Sequence, residues 1–154
     1  MQARTTTTRA PSRLMRLARL PLRLGQLKSE AALHTAIIAE AARLLRAQRV
    51  LLVLQTGRSA PSIAGSKLPA GENAASLLHA VSPWLDEARD SGTSRLRHGP
   101  EGAAPLDQRS CLVAPLLAPQ GPLGCLYADV EGPHGRFEAA DRDLLAMLAG
   151  QAAV

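Results

Sequence analysis

The sequence predicts an α+β fold in which a central antiparallel sheet is flanked by N- and C-terminal helices. Three observations carry this. Residues 111–118 and 123–130 are two apolar runs joined by Pro119-Gln120-Gly121-Pro122, the pattern of a β-hairpin. An alanine-rich stretch with apolar residues at steps of three and four opens the patterned region, and a second such stretch closes the chain. Strand-like and helix-like segments alternate between them, which suits one sheet against a helical layer.

At 154 residues there is room for one domain and an arm. The hydrophobic fraction of 46% is that of a globular chain, and with one Trp, one Tyr and one Phe the core must come from Leu, Val, Ile and Ala. No apolar run approaches the roughly 20 residues of a membrane-spanning helix. Seven of the 18 basic residues and none of the 13 acids fall in residues 1–29, leaving 11 bases against 13 acids, a charge of −2, for the remainder. Basicity therefore belongs to an arm, and the folded body offers no nucleic-acid footprint. Two cysteines without a secretory signal point to a reducing cytosol and a cytoplasmic protein. An Arg-, Ser- and Thr-rich start also fits an organelle transit peptide.

Residues 1–13 lack periodicity and are expected to be disordered. Residues 14–24 alternate leucine with arginine around Pro21, which breaks any continuous helix. A membrane-surface segment and an inter-domain connector both fit. The connector is preferred, because each apolar stretch is short. Residues 1–27 are thus read as a disordered basic arm and connector, and 28–154 as the domain.

From Ser29 a helix is expected, with Leu33, Ile37, Ala41, Leu44 and Gln48 along its apolar stripe. Arg43, Arg46 and Arg49 would sit near its C-terminus, where the helix dipole favours cations. Residues 49–56 read as a strand apolar on both faces, hence central. A weaker strand is expected within residues 59–68, around Ser62–Ala64. Residues 72–81 look helical, and Ser82-Pro83 reads as an N-cap and first-turn proline restarting a second short helix over 84–89. Residues 95–98 form a short strand candidate, residues 99–108 a loop, and residues 137–154 the closing helix.

Arg109-Ser110-Cys111-Leu112-Val113-Ala114-Pro115-Leu116 resembles the Arg-Ser-apolar-x-x-Pro-Leu strand of GAF domains. Gly121-Pro122-Leu123-Gly124-Cys125-Leu126 is similar to the strand that follows it there, and Phe137, Asp141, Leu144, Leu145, Leu148, Ala149, Gln151 and Ala152 to the closing helix. The resemblance covers about residues 28–154 and implies a GAF-like (PAS-related) fold. It further implies a non-catalytic sensory or regulatory module of bacterial signalling that binds a small molecule, dimerises through its terminal helices, and acts on a kinase- or cyclase-type output domain. The chain ends inside the closing helix, before any output domain, so it is expected to be truncated there. A ligand-free dimerisation or scaffold module is the alternative.

Finer activities of the family fit less well. The cyclic-nucleotide signature is matched by Phe137 and Asp141, positions general to the fold, while Arg142 stands where it has glutamate and no Asn-Lys pair precedes Phe137. Cys111 and Cys125, inside apolar strands, are read as buried and inert rather than as bilin attachment points. With the hairpin turn centred on Gln120-Gly121, Cys125 falls opposite Leu116 and Cys111 opposite Val130, so no disulfide is expected. A thiol enzyme resembling free methionine-sulfoxide reductases would need cysteines beyond Cys111. The four histidines have no metal-ligand spacing. A ligand pocket is expected between the sheet and the middle segment, with Trp84, Arg95, Arg97, His98, Arg109 and Tyr127 as its candidate residues. No cofactor can be named.

Overall fold

Ser29 accepts a hydrogen bond from the Ala32 N–H at 3.1 Å and so caps helix α1, Glu30–Leu45. The computed structural model describes Arg13 and residues 29–99 and 108–153. The expectations for the arm (Arg13 apart), and for positions 100–107 of the loop, lie outside the described residues.

α1 ends earlier than its stripe suggests. Arg46 takes a left-handed conformation (φ 53°), its N–H bonded to the Ala42 carbonyl, so the chain turns before Gln48. Gln48 instead clamps the neighbouring strand end: its N–H donates to the Asp129 carbonyl and its Oε1 accepts from the Glu131 N–H, both at 2.8 Å. Arg43 lies in the last helical turn, whereas Arg49 is the first residue of strand β1, Arg49–Leu54.

β2 (Ser62–Lys67), helix α2 (Ala74–Ser91), β3 (Arg95–Gly99), β4 (Arg109–Ala118) and β5 (Gly121–Glu131) follow, then a single 3₁₀ turn and helix α3 (Ala139–Ala152). The five strands form one antiparallel sheet in the order β2-β1-β5-β4-β3. β1 is an inner strand with Val50 to Val53 all buried, as its two apolar faces demand. β2 falls within the expected residues 59–68, as an exposed edge strand.

Strand alternation divides the core in two. Val50, Leu52, Leu112, Ala114, Leu116, Leu126 and Ala128 pack with α1 and α3. Leu51, Val53, Cys111, Val113, Cys125 and Tyr127 face the other way, toward Leu77, Val81, Leu85 and Ala88 of α2. The sheet is therefore covered by terminal helices on one face and by the middle helix on the other.

Three local expectations need correction. The two short middle helices are one, capped by Asn73, whose side chain accepts from the Ser76 N–H, and Pro83 lies inside it. Ser82 does not cap a new helix: its hydroxyl donates to the Leu78 carbonyl at 2.6 Å, while buried Leu77, Val81 and Leu85 hold both halves on the sheet. The hairpin register also differs. Ala118 pairs with Gly121 across a Pro119-Gln120 turn, and a bulge at Leu123 then sets Cys125 opposite Pro115 and Cys111 opposite Asp129. Finally, α3 begins at Ala139 rather than at Phe137. Phe137 is buried ahead of it, and Asp141 accepts from the Glu138 N–H at 2.8 Å. Arg13 forms an ion pair with Asp141 at 2.9 Å.

Pro115 is accommodated because β3 pairs with β4 only as far as Arg95–Val113, so beyond Val113 β4 has no strand neighbour on that side among the described residues. Gly124 is required for a different reason. It has φ 150°, and a β-carbon there would stand 1.9 Å from the Val53 carbonyl oxygen.

Candidate functional site

Asp129 is an acid inside an apolar strand, fully shielded from solvent. A buried carboxylate demands partners. Arg49, directly across the ladder, places Nη2 2.6 Å from Oδ2 and Nε 3.0 Å from Oδ1. Arg109 brings Nη1 to 3.1 Å from Oδ1, and the Tyr127 hydroxyl donates to Oδ2 at 2.6 Å. Each arginine also meets a second acid: Arg49 pairs with Glu72 at 3.1 Å and Arg109 with Glu131 at 2.6 Å. Burial works against the Arg49 charge, but the bonds and attraction to Asp129 outweigh it and its pKa is raised.

This cluster floors a cavity of about 900 Å³ between α2 and the sheet, within the range of small-molecule sites. Its polar end holds Arg49, Glu72, Asn73, Ser76 and Arg109; Leu77, Ala80, Val81, Trp84 and Cys111 supply an apolar wall. The Arg97 guanidinium lies 5.8 Å from the Trp84 ring centroid, a cation–π contact, and pairs with Glu87.

Among the six residues expected from the sequence, Trp84, Arg97, His98, Arg109 and Tyr127 line this cavity together. Arg95 stands outside it, half exposed, 3.9 Å from Glu87. His98 also borders a second, small cavity with Arg136, and its Nδ1 is 2.8 Å from the Ser110 hydroxyl. Burial, then the Arg136 charge, lowers its pKa. Arg49, Glu72 and Asp129 were missed. Arg49 had been credited to a helix end, and the one available signal was an acid at position 129 inside an otherwise apolar run.

Both cysteines are buried and free. Cys125 donates to the Leu85 carbonyl at 3.4 Å, and burial pushes its pKa up to about 12. Burial likewise raises Cys111, although the Tyr127 hydroxyl, 3.3 Å from its sulfur, opposes this. Among the described residues no cluster of three or more His, Cys, Asp or Glu is placed to hold a metal ion. None of the described helices is long and apolar enough to cross a membrane.

The sequence model of the GAF domain family matches residues 29–154. The chain belongs to the GAF domain family. The structure is similar to the GAF domain of the cyanobacteriochrome TePixJ, with TM-score 0.62, 19% identity, and coverage of 84% of this chain and 90% of that one. The GAF-B domain of DevS from Mycobacterium smegmatis matches with TM-score 0.58 and 24% identity over 81% of this chain and 90% of that one. A free methionine-R-sulfoxide reductase from Neisseria meningitidis, solved in complex with its substrate, matches with TM-score 0.68 and 15% identity over 98% and 94%. At these identities the likeness is one of fold. No match was found among curated proteins. The motifs that suggested a GAF domain have structural jobs here: Gly124 admits the Val53 backbone, Pro115 marks where β3 stops, and Phe137 fills the core.

Proposed function

We propose that this GAF domain is a non-catalytic sensory and regulatory module that binds a small molecule in the cavity between α2 and the sheet. The observation that carries the reading is the cavity itself, with a floor of charged groups held rigidly by Asp129 and an apolar wall along α2. The raised pKa values of both thiols favour a non-catalytic role over thiol redox chemistry. In this reading a homodimer forms through outward surfaces of α1 and α3, where Met147 is 55% exposed, and passes the signal to a kinase- or cyclase-type output domain in a bacterial cytoplasm.

A thermal-shift screen of small metabolites tests the ligand claim. Ala80, an exposed residue on the cavity wall, offers the control, since Ala80→Phe fills the space. Stabilisation of the wild type that Ala80→Phe loses is expected. A wild type that no metabolite stabilises would sink the reading. Light scattering with Met147→Lys tests the dimer, which the substitution should weaken; a wild-type monomer removes it.

A second reading, a ligand-free scaffold, is favoured by one observation: Arg49, Arg97 and Arg109 each already hold a carboxylate of the chain itself. It predicts an unchanged melting temperature with every metabolite.

A further inference from the structure

The cavity's charges are balanced unevenly. Asp129 is the one fully buried acid of the cluster and faces two arginines, so one positive charge on the floor has no buried counter-charge. Glu131 and Glu72 supply the balance from more open positions, their side chains 47% and 39% exposed. Glu131 pairs with Arg109 but does not line the cavity, whereas Glu72 lines its polar end and meets Arg49 Nη1 through a single oxygen at 3.1 Å. Glu72 also directly precedes Asn73, the cap of α2, so the positive end of that helix dipole borders the same end of the cavity. Guanidinium groups pair strongly with planar oxyanions, and a half-exposed glutamate on one oxygen is a partner that a better-placed anion can replace.

The opposite end asks for a flat apolar body. Trp84 presents its ring with the Arg97 guanidinium near it, and Leu77, Ala80 and Val81 continue the wall along α2. We propose that the cavity takes a planar aromatic or heteroaromatic monocarboxylate. Its ring lies along Trp84 and the aliphatic wall, and its carboxylate takes the place of Glu72 on Arg49. Glu72 then turns to water, so the exchange adds no net charge to the floor. A cationic ligand would meet Arg49, Arg97 and Arg109, and a dianion would bring a second charge that the release of Glu72 does not balance. The turn before α2 keeps its own backbone bond, from the Glu72 N–H to the Pro69 carbonyl at 3.2 Å, so only the side chain need move. The proposal rests on the sensory reading, in which this cavity is the ligand site.

Trp84 is the single tryptophan, so its fluorescence reports on the cavity alone. The probes are 4-nitrobenzoate and its uncharged counterpart 4-nitrobenzamide, followed by Trp84 quenching and by calorimetry. Saturable 4-nitrobenzoate binding is expected, with the amide at least tenfold weaker. Glu72→Gln should tighten 4-nitrobenzoate at least threefold and leave the amide unchanged, and Ala80→Phe should abolish both. Equal binding of the two probes, or a Glu72→Gln affinity unchanged or weakened, overturns the proposal, as does binding by neither. If neither probe binds while the metabolite screen finds a ligand that Ala80→Phe blocks, the sensory reading survives and only this ligand class falls.

Discussion

The Tyr127 hydroxyl and the Asp129 carboxylate, two residues apart on β5 and so on the same face, are joined by a 2.6 Å hydrogen bond wholly inside the protein. Burial, and then the Asp129 charge, raises the Tyr127 pKa, so the phenol keeps its proton and donates. Asp129 in turn holds Arg49 and Arg109, which makes it the centre on which the cavity floor depends.

Asp129→Asn removes the charge and leaves two arginines facing a neutral amide. Loss of one partner from a buried ionic cluster costs about 3–5 kcal/mol. Urea unfolding should show a stability loss of that order; a change under about 1 kcal/mol would mean the arginines find other partners.

His98 supplies a pH dependence with a defined sign. Its folded pKa lies below the usual 6.5, so its contribution is present above pH 6.5 and is lost as pH falls below it. Wild-type protein should therefore lose more stability between pH 7.5 and 5 (about the window in which His titrates) than His98→Gln does. Parallel stability curves for the two proteins would rule this out.

The thiols should be silent. With a pKa of about 12, only about one part in ten thousand of Cys125 is thiolate at pH 8, and Cys111 is shifted the same way. Ellman's reagent should label neither cysteine in folded protein within minutes and both in guanidinium. Rapid labelling of folded protein would show the strands open readily.

Gly124 and Gly65 make a controlled pair. At Gly124 a methyl group meets the Val53 carbonyl at φ 150°, while at Gly65 it meets the flexible end of Ile38. Alanine at a positive φ costs more than about 1 kcal/mol before any clash is counted. Gly124→Ala should thus lower the melting temperature far more than Gly65→Ala, and comparable losses would contradict the close approach of β5 to β1.

The fold was legible because its signals are local. The hairpin runs, the leucine stripes at 144, 145 and 148, and the apolar 50–53 segment each fix one element. The register was not, since a bulge at Leu123 leaves no mark in hydrophobicity. Pro83 misled in a similar way: tertiary packing of Val81 and Leu85 overrode a local restart signal. For the site, Trp84, Arg97, His98, Arg109 and Tyr127 were found because their side chains are conspicuous. Arg49 and Glu72 were not, because their meeting is set by how β1 and the turn before α2 come together in space.

Asp129 has one further consequence. Its side chain holds Arg49 and Arg109 of the cavity floor, while its carbonyl accepts the N–H of Gln48, which immediately precedes Arg49. The carboxylate lies on the Tyr127 face of β5, and the carbonyl, in the plane of the sheet, reaches the segment that leads out of α1. One buried residue thus ties the two arginines of the cavity floor to the root of α1.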